Sequence, residues 1–234
     1  MEYIIIIIVS IITIVVLKIG FNVSIKNIKK IKQIGYDKNL NNIAEKFPSN
    51  KEICKEILKN LNNNNVKIEE NNDSKVSLYI AITNKIIIAD IQDTFTRIQT
   101  IAHECLHSVQ NRKTLIFNFI YSNIFILYFW VALFLILFDI GKSSIYIQIF
   151  IFMSVIYSAV RCYLENEAMS RALYVAKDYM NQQAEKNERI KKEDIDLLVE
   201  NFEKINKIGI PITNFSIIVG NILKIIILSL IALI

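Results

Sequence analysis

The sequence predicts a mainly α-helical integral membrane protein, with three or four transmembrane helices and a small cytoplasmic region of mixed α and β structure. Of its 234 residues, 53% are hydrophobic even though glycine is left out of that count, and the mean hydropathy is +0.37. Soluble domains reach about 45–50% with glycine included. The composition therefore excludes a disordered chain, a collagen-like chain and a disulfide scaffold.

Three long uncharged runs account for most of this hydropathy: Tyr3 to Leu17, Leu115 to Phe138 and Ser143 to Val160. A helix needs about 20 apolar residues, and at least ~17, to cross the hydrocarbon core. Residues 1–18 are predicted to be an uncleaved N-terminal anchor, because basic residues follow the run instead of preceding it. The short link 139–142 predicts that residues 115–160 form a transmembrane hairpin.

Residues 208–234 are also strongly apolar, but they contain Pro211 and Lys224. A lysine at the bilayer centre costs about 3 kcal/mol or more. The expectation is a C-terminal membrane helix in which Lys224 is paired or reaches the interface. The alternative is that the first half of this segment packs elsewhere.

Positive charge predicts the orientation. Of the 27 lysines and arginines, only Lys142 and Lys224 lie outside two polar stretches, Lys18 to Lys113 and Arg161 to Lys207. Positively charged segments beside membrane helices stay in the cytoplasm. A multi-pass protein of the cell membrane, in contact with the lipid bilayer and with regions 19–114 and 161–207 in the cytoplasm, is therefore expected.

Charge and cysteine usage limit the partners. The net charge is only +5 and the lysines alternate with carboxylates, which argues against nucleic acid. Three widely spaced cysteines, Cys54, Cys105 and Cys162, predict reduced thiols. Isoleucine, asparagine and lysine are abundant, as is typical of an AT-rich genome, so the asparagine run 62–65 is not taken as a functional signal.

Region 19–114 is predicted to be α+β. It begins with a lysine-rich segment expected to be helical and to lie near anionic headgroups. A capping box, Ser49 with Glu52, predicts a helix from Ser49. Three short runs predict a small antiparallel sheet: Val66 to Ile68, Val76 to Ile82 and Ile86 to Ile88. A helix from about Thr94 to Arg112, capped by Asp93, is predicted to follow. Region 161–207 is predicted to hold two helices, one ending near Met180 and one covering about 194–207.

The predicted helix from Thr94 contains His103-Glu104-Cys105-Leu106-His107, an HExxH pattern, and these are the only two histidines of the chain. Residues four apart lie on one helical face, so the two imidazoles can bind one zinc ion. Glu104 can then reach a water activated by that zinc and act as general base. Region 19–114 is thus expected to be a zincin-like catalytic region.

A catalytic zinc site needs a third protein ligand. The segment after the third apolar run contains Glu165 and Glu167. Because the hairpin returns the chain to the side it left, Glu165 and the histidine pair can converge. An ordinary solvated carboxylate at position 165 stays open on this reasoning alone.

Residues 100–110 resemble the active-site helix of the neutral zinc metallopeptidases, a bacterial membrane family in which a small residue, an apolar residue and glutamine follow the motif, as Ser108-Val109-Gln110 do here. Residues 165–173 resemble the glutamate-containing stretch of that family, which ends in arginine and alanine. The layout is also similar to HtpX-type and CAAX-prenyl-protein endopeptidases. The resemblance implies that Glu165 is the third zinc ligand.

Two positions depart from these families. Leu106 stands where the family usually has glycine, and Met169 stands where the related endopeptidases have an aspartate that orients a histidine. Glu167 can supply the orienting carboxylate instead. The oxyanion stabiliser is left open between Arg171 and Tyr163, each of which can equally be an ordinary surface side chain.

The predicted function is a membrane-bound, gluzincin-like zinc endopeptidase with one Zn²⁺ per chain, bound by His103, His107 and Glu165. Its partners would be protein or peptide substrates, including membrane proteins. Ile86 to Ile88 is one candidate for the sheet edge that binds substrate, although packing in the core suits three isoleucines better. Cys105 is expected to be buried and apolar rather than a ligand. The alternative function is an inactive membrane scaffold or chaperone with a structural or vestigial zinc site; a channel or transporter is disfavoured because the hairpin spans lack charge.

Overall fold

A computed structural model describes residues 1–74 and 76–234 of the chain. The described part is mainly helical, with one small sheet, in the order α1 (Glu2–Gly20), α2 (Ile25–Gly35), α3 (Lys38–Ala44), α4 (Asn50–Asn60), β1 (Lys67–Asn71), β2 (Leu78–Ile80), β3 (Lys85–Ala89), α5 (Arg97–Val109), α6 (Arg112–Leu137), α7 (Ser143–Lys186) and α8 (Lys192–Ile231). The chain forms two compact units. We call Met1–Ser24, Ile116–Tyr163 and Pro211–Ile234 the apolar unit, and Ile25–Leu115 with Leu164–Ile210 the polar unit.

The apolar unit contains segments of the four helices that are long and apolar enough to cross a membrane, namely α1, α6, α7 and α8. Their outer faces carry large apolar side chains, and Ile12, Leu127 and Phe152 are 56%, 64% and 67% exposed. Inside the unit, the ring of Phe125 stacks on Phe150 and Tyr157, with centroids 4.8 and 4.9 Å away. Water-exposed apolar surface of this extent is rare in soluble proteins, so the unit has the character expected of a membrane-associated protein.

A tight connection joins α6 to α7, as the hairpin prediction requires. Asp139 and Gly141 both have positive φ, 51° and 77°. A side chain at Gly141 would also collide with the Tyr146 hydroxyl group. Glycine is therefore favoured at this turn mainly for its backbone conformation, since the tyrosine hydroxyl is the far end of a side chain that can move.

The last two helices are longer than predicted. α7 continues past Met180 to Lys186, and α8 is one helix from Lys192 to Ile231 with Pro211 inside it. The prediction of separate segments at 194–207 and 208–234 is wrong in this respect. Proline removes a single N–H from the helix ladder, and apolar helices tolerate this when neighbouring groups compensate.

The sheet has the order β1-β3-β2, and it is mixed. β2 and β3 form the predicted antiparallel hairpin around Asn84, whose φ is 48°, but β1 pairs with β3 in parallel. The prediction of a purely antiparallel sheet is therefore wrong for β1. Ile86 and Ile88 are 0% and 1% exposed, so they pack in the core and β3 is the central strand. The suggestion that Ile86 to Ile88 form a substrate-binding edge is also wrong, because both edges of β3 are already paired.

α4 begins as its sequence predicts. The Ser49 hydroxyl accepts from the Glu52 backbone N–H, and the Glu52 carboxylate accepts from the Ser49 N–H. The apolar face of α4 is fully buried at Ile53 and Ile57 and packs on the face of α5 that carries Cys105. The facing Sγ atoms of Cys54 and Cys105 are 3.6 Å apart, and both thiols are free.

The start of α5 differs from the prediction of a helix from Thr94 to Arg112 capped by Asp93. The helix begins at Arg97 with Thr96 as N-cap, without a side-chain capping bond, and it ends at Val109. Residues before Arg97 form turns instead, in which the Thr94 hydroxyl donates to the carbonyl of Ile91. Asp93 is therefore not the N-cap of α5.

Arg97 is completely buried and fixes the position of α5. Its guanidinium donates to the carbonyl oxygens of Ala44, Phe47 and Pro48, at 2.8 to 2.9 Å, and to Oδ1 of Asn50 at 2.9 Å. Burial lowers the pKa of Arg97. The planar guanidinium donates to four oxygens at once, so it joins the first turn of α5 to the end of α3 and to the loop that leads into α4.

Candidate metal centre

His103, Glu104 and His107 lie on one side of α5, because the apolar residues of this helix occupy the side that faces the core. Ile98, Ile101 and the other core positions of α5 are buried among α4, β3 and α7. The Nε2 atoms of His103 and His107 lie 3.0 Å apart, with the rings edge-on. His107 and Glu104 are themselves buried, at 8% and 7% exposure. The predicted metal-binding pair is thus preformed on α5.

Glu165 on α7 completes the cluster. Its Oε2 atom is 3.4 Å from Nε2 of His103 and 3.9 Å from Nε2 of His107. The three side chains offer ligand atoms that all lie within 4.8 Å of one another. Two small residues that follow on the same helix, Ala168 and Ala172, are buried in the core of the polar unit to which α5 also belongs. Glu165 is brought to the histidines, as the sequence predicted.

The spacing of these atoms suits a zinc ion. Zinc binds nitrogen and oxygen ligands at about 2.0–2.2 Å in tetrahedral geometry, which places neighbouring ligand atoms roughly 3.3 Å apart. The three observed separations, 3.0, 3.4 and 3.9 Å, lie around that value. Two imidazoles and one carboxylate are also a donor set that catalytic zinc sites use. The residues therefore fit the metal that the motif predicts.

Gln110 fixes the tautomer of His107. The Nε2 atom of Gln110 donates to the carbonyl of Leu164 at 2.8 Å and to the carboxylate of Glu167 at 3.0 Å, and both partners can only accept. Its Oε1 atom is therefore the one that lies 2.8 Å from Nδ1 of His107, which must carry the proton. The Nε2 lone pair of His107 is then free of a proton and directed at the cluster.

Glu167 acts on the site through Gln110 and not directly on a histidine. It accepts from Gln110 and also from Arg171, at 3.3 Å. The sequence suggested Glu167 as the carboxylate that orients a histidine, whereas in the structure Glu167 contacts Gln110, and Gln110 contacts His107. The sequence analysis included Gln110 only as part of a family pattern and did not predict its contact with His107. The three-residue spacing of His107 and Gln110 was the one signal that could have suggested this contact.

The two candidates for an oxyanion stabiliser are surface side chains here. The Arg171 side chain is 55% exposed and pairs with Glu167. Tyr163 is 59% exposed. Neither observation assigns a role in the site.

Asn63 secures the C-terminal end of α5. Its amide donates to the carbonyl oxygen of Ser108 at 3.1 Å and to the Ser108 hydroxyl at 2.9 Å. The hydroxyl of Ser108 in turn donates to the carbonyl of Cys105. Within the run 62–65, which the sequence analysis did not take as a functional signal, Asn63 thus has a structural contact. No local sequence signal separates this asparagine from its neighbours.

Cys105 has the buried role that the sequence predicted. It is 0% exposed and faces Cys54 on the core side of α5. Burial raises the pKa of the Cys105 thiol, so the thiolate needed for nucleophilic attack or metal binding is disfavoured.

We expect replacement of Gln110 with leucine to lower zinc affinity about 10- to 100-fold, since the partner that fixes the His107 tautomer is lost. The measurement is a zinc titration against a competing chelator, on protein whose helix content and melting temperature are checked. Gln182→Leu, which removes an amide bonded only to Asn60 in a remote exposed pair, is the matched control. Unchanged zinc affinity in Gln110→Leu would contradict the assigned role.

Comparison of the chain with protein-family models, with curated proteins and with solved structures finds no match. The chemistry of the site therefore rests on the residues themselves.

Proposed function

We propose that this protein is a membrane-bound zinc endopeptidase. His103, His107 and Glu165 hold one zinc ion, and Glu104 is the general base. The observation that carries the proposal is the convergence of three ligand atoms of a catalytic donor set, with the His107 tautomer fixed and a glutamate next to the first histidine. The resemblance to the neutral zinc metallopeptidases implies the same roles for these four residues.

The chemistry divides between the metal and one carboxylate. When bound, zinc polarises the scissile carbonyl group and makes a water molecule more acidic. Glu104 accepts a proton from the attacking water and passes it to the leaving amine. The peptide bond is thereby hydrolysed to a carboxylate and an amine, and Glu104 is regenerated. A site that only stabilises the fold has no use for such a base. Gln110 and Glu167 keep His107 oriented throughout.

The sheet has two edge strands, β1 and β2. Of these, β2 is paired on one side with β3 and contacts α5, the helix that carries the histidines. Backbone groups of Leu78 to Ile80 on its other side can pair with a peptide as an added strand. We propose β2, in place of Ile86 to Ile88, as the substrate-binding strand.

The proposed location is the cytoplasmic face of the cell membrane. Four helices are long and apolar enough to cross a bilayer, and nearly all lysines and arginines lie in the two stretches outside the apolar runs. This distribution favours a cytoplasmic site. Substrates of such an enzyme would include membrane proteins and unfolded polypeptides near the membrane.

The inactive-scaffold alternative drew support from Leu106 and Met169. Leu106 is 1% exposed and belongs to the core of the polar unit, so it fills the interior and does not occupy the metal cluster. Met169 stands in place of an aspartate that would orient a histidine. The contact of Glu167 with Gln110, which in turn contacts His107, can supply that function instead. Both departures are therefore compatible with an enzyme.

Metal removal tests the proposal. We expect the detergent-purified full chain to cleave an unfolded probe such as β-casein, to lose all cleavage with 1,10-phenanthroline, and to regain it with about one equivalent of zinc. Cleavage that survives in demonstrably metal-free protein would contradict the zinc mechanism. Stoichiometric zinc without cleavage of any unfolded probe or membrane protein would favour the scaffold.

A further inference from the structure

The surface of α2 is the strongest feature outside the metal centre. α2 contains isoleucine at positions 25, 28, 31 and 34, which lie along one side of the helix, and four lysines at positions 26, 29, 30 and 32. It contains no acidic residue. None of its residues is buried, and Ile25 and Ile28 are 74% and 50% exposed. This combination of an apolar side and a basic side is typical of helices that lie at the membrane surface.

One apolar contact of this helix with the rest of the polar unit lies at its C-terminal end. Ile34 packs against the core of the polar unit. Ile25 and Ile28 remain exposed, and none of the four lysines makes an ion pair within residues 1–74 and 76–234. The N-terminal two turns therefore present an apolar stripe and unpaired positive charge together.

The connection to α1 identifies the occupant. Only residues 21–24 separate the end of α1, a candidate membrane span, from the start of α2. Four residues reach at most roughly 14 Å, so the first turn of α2 must stay close to the end of that span. If α1 crosses the bilayer, this short connection keeps the start of α2 at the bilayer surface. The bilayer is therefore the apolar partner that is always within reach of Ile25 and Ile28.

We propose that α2 lies in the headgroup region of the membrane and binds anionic lipids. Ile25 and Ile28 insert below the headgroups, and the lysines contact their phosphates. This inference depends on membrane insertion of α1 and is independent of the peptidase proposal. It would hold for a scaffold as well as for an enzyme.

Tryptophan fluorescence of the full chain in lipid vesicles tests the proposal. Trp130 is the only tryptophan, so Trp130→Phe gives a background in which Ile28→Trp reports on α2 alone. In phosphatidylcholine vesicles containing phosphatidylglycerol, we expect blue-shifted emission that is quenched by lipids brominated near the headgroup. Gln33→Trp, on the polar side of the same helix, is the matched control and should stay red-shifted and unquenched.

Charge dependence completes the test. Each lysine of α2 replaced by glutamine is expected to lower the ratio of docked to undocked helix roughly fivefold in the anionic vesicles. Emission from Ile28→Trp that matches Gln33→Trp in every vesicle would overturn the proposal. Equal quenching in vesicles with and without phosphatidylglycerol would overturn its selectivity for anionic lipid.

Discussion

Replacing Glu104 with glutamine is expected to reduce peptide hydrolysis about a thousandfold while leaving about one zinc bound per chain. The amide has nearly the same size as the carboxylate, so the buried position is filled without a cavity, but it cannot accept the proton of the attacking water. The metal is held by His103, His107 and Glu165, which the substitution leaves in place. The measurement pairs single-turnover cleavage of an unfolded probe with metal analysis of the same sample.

A control and a second variant separate chemistry from folding. Glu203→Gln makes the same change at an exposed position of α8 and should leave the rate unchanged. Glu104→Asp keeps a carboxylate but withdraws it, so partial activity is expected. If Glu104→Gln cleaves as fast as the parent, Glu104 is not the base; if it loses zinc, its role is structural.

Replacing Glu165 with alanine is expected to lower zinc affinity by about 100-fold or more. Loss of a partner that only orients a ligand already costs 10- to 100-fold, and here one of three protein ligands is removed. Alanine is a strong helix former, so α7 should persist. Zinc per chain after purification without chelators, followed by competitive titration, measures the effect.

Glu185→Ala removes an exposed glutamate from the same helix and is the matched control for Glu165→Ala. It should retain the zinc of the parent. Equal zinc in parent and Glu165→Ala would show that another residue is the third ligand, whereas a metal-free parent would contradict the zinc site as a whole. These outcomes differ from those of Glu104→Gln, so the two substitutions test binding and catalysis separately.

Local sequence features predicted those parts of the structure that depend on neighbouring residues. Three uncharged runs, together with the strongly apolar segment 208–234, identified the four helices of the described residues that are able to span a membrane, since length and hydropathy are local properties. Ser49 and Glu52 located the start of α4, because a capping box closes within one turn. The spacing of His103 and His107 placed both imidazoles on one face for the same reason.

Features that depend on distant partners were missed or misplaced. α5 begins at Arg97 and not at Thr94, and the Arg97 guanidinium donates to the distant carbonyls of Ala44 and Phe47. β1 runs parallel to β3, a choice that alternating apolar residues do not encode. Asn63 contacts Ser108 at the end of α5. Gln110 contacts Leu164 and Glu167 on α7. The local sequence pattern predicts neither set of contacts.

The sequence by itself determined the mainly helical character of the chain and the placement of both histidines on one face of α5, because hydropathy and helical spacing act over a few residues. Only the tertiary structure showed that Glu165, the carboxylate that the sequence offered, meets the histidines, how His107 is oriented, and which strands are left as edges. The distance from Glu165 to His103 spans 62 positions of sequence but 3.4 Å of space. Such a contact depends on how α5 and α7 pack in the core, where burial of many side chains together sets the geometry.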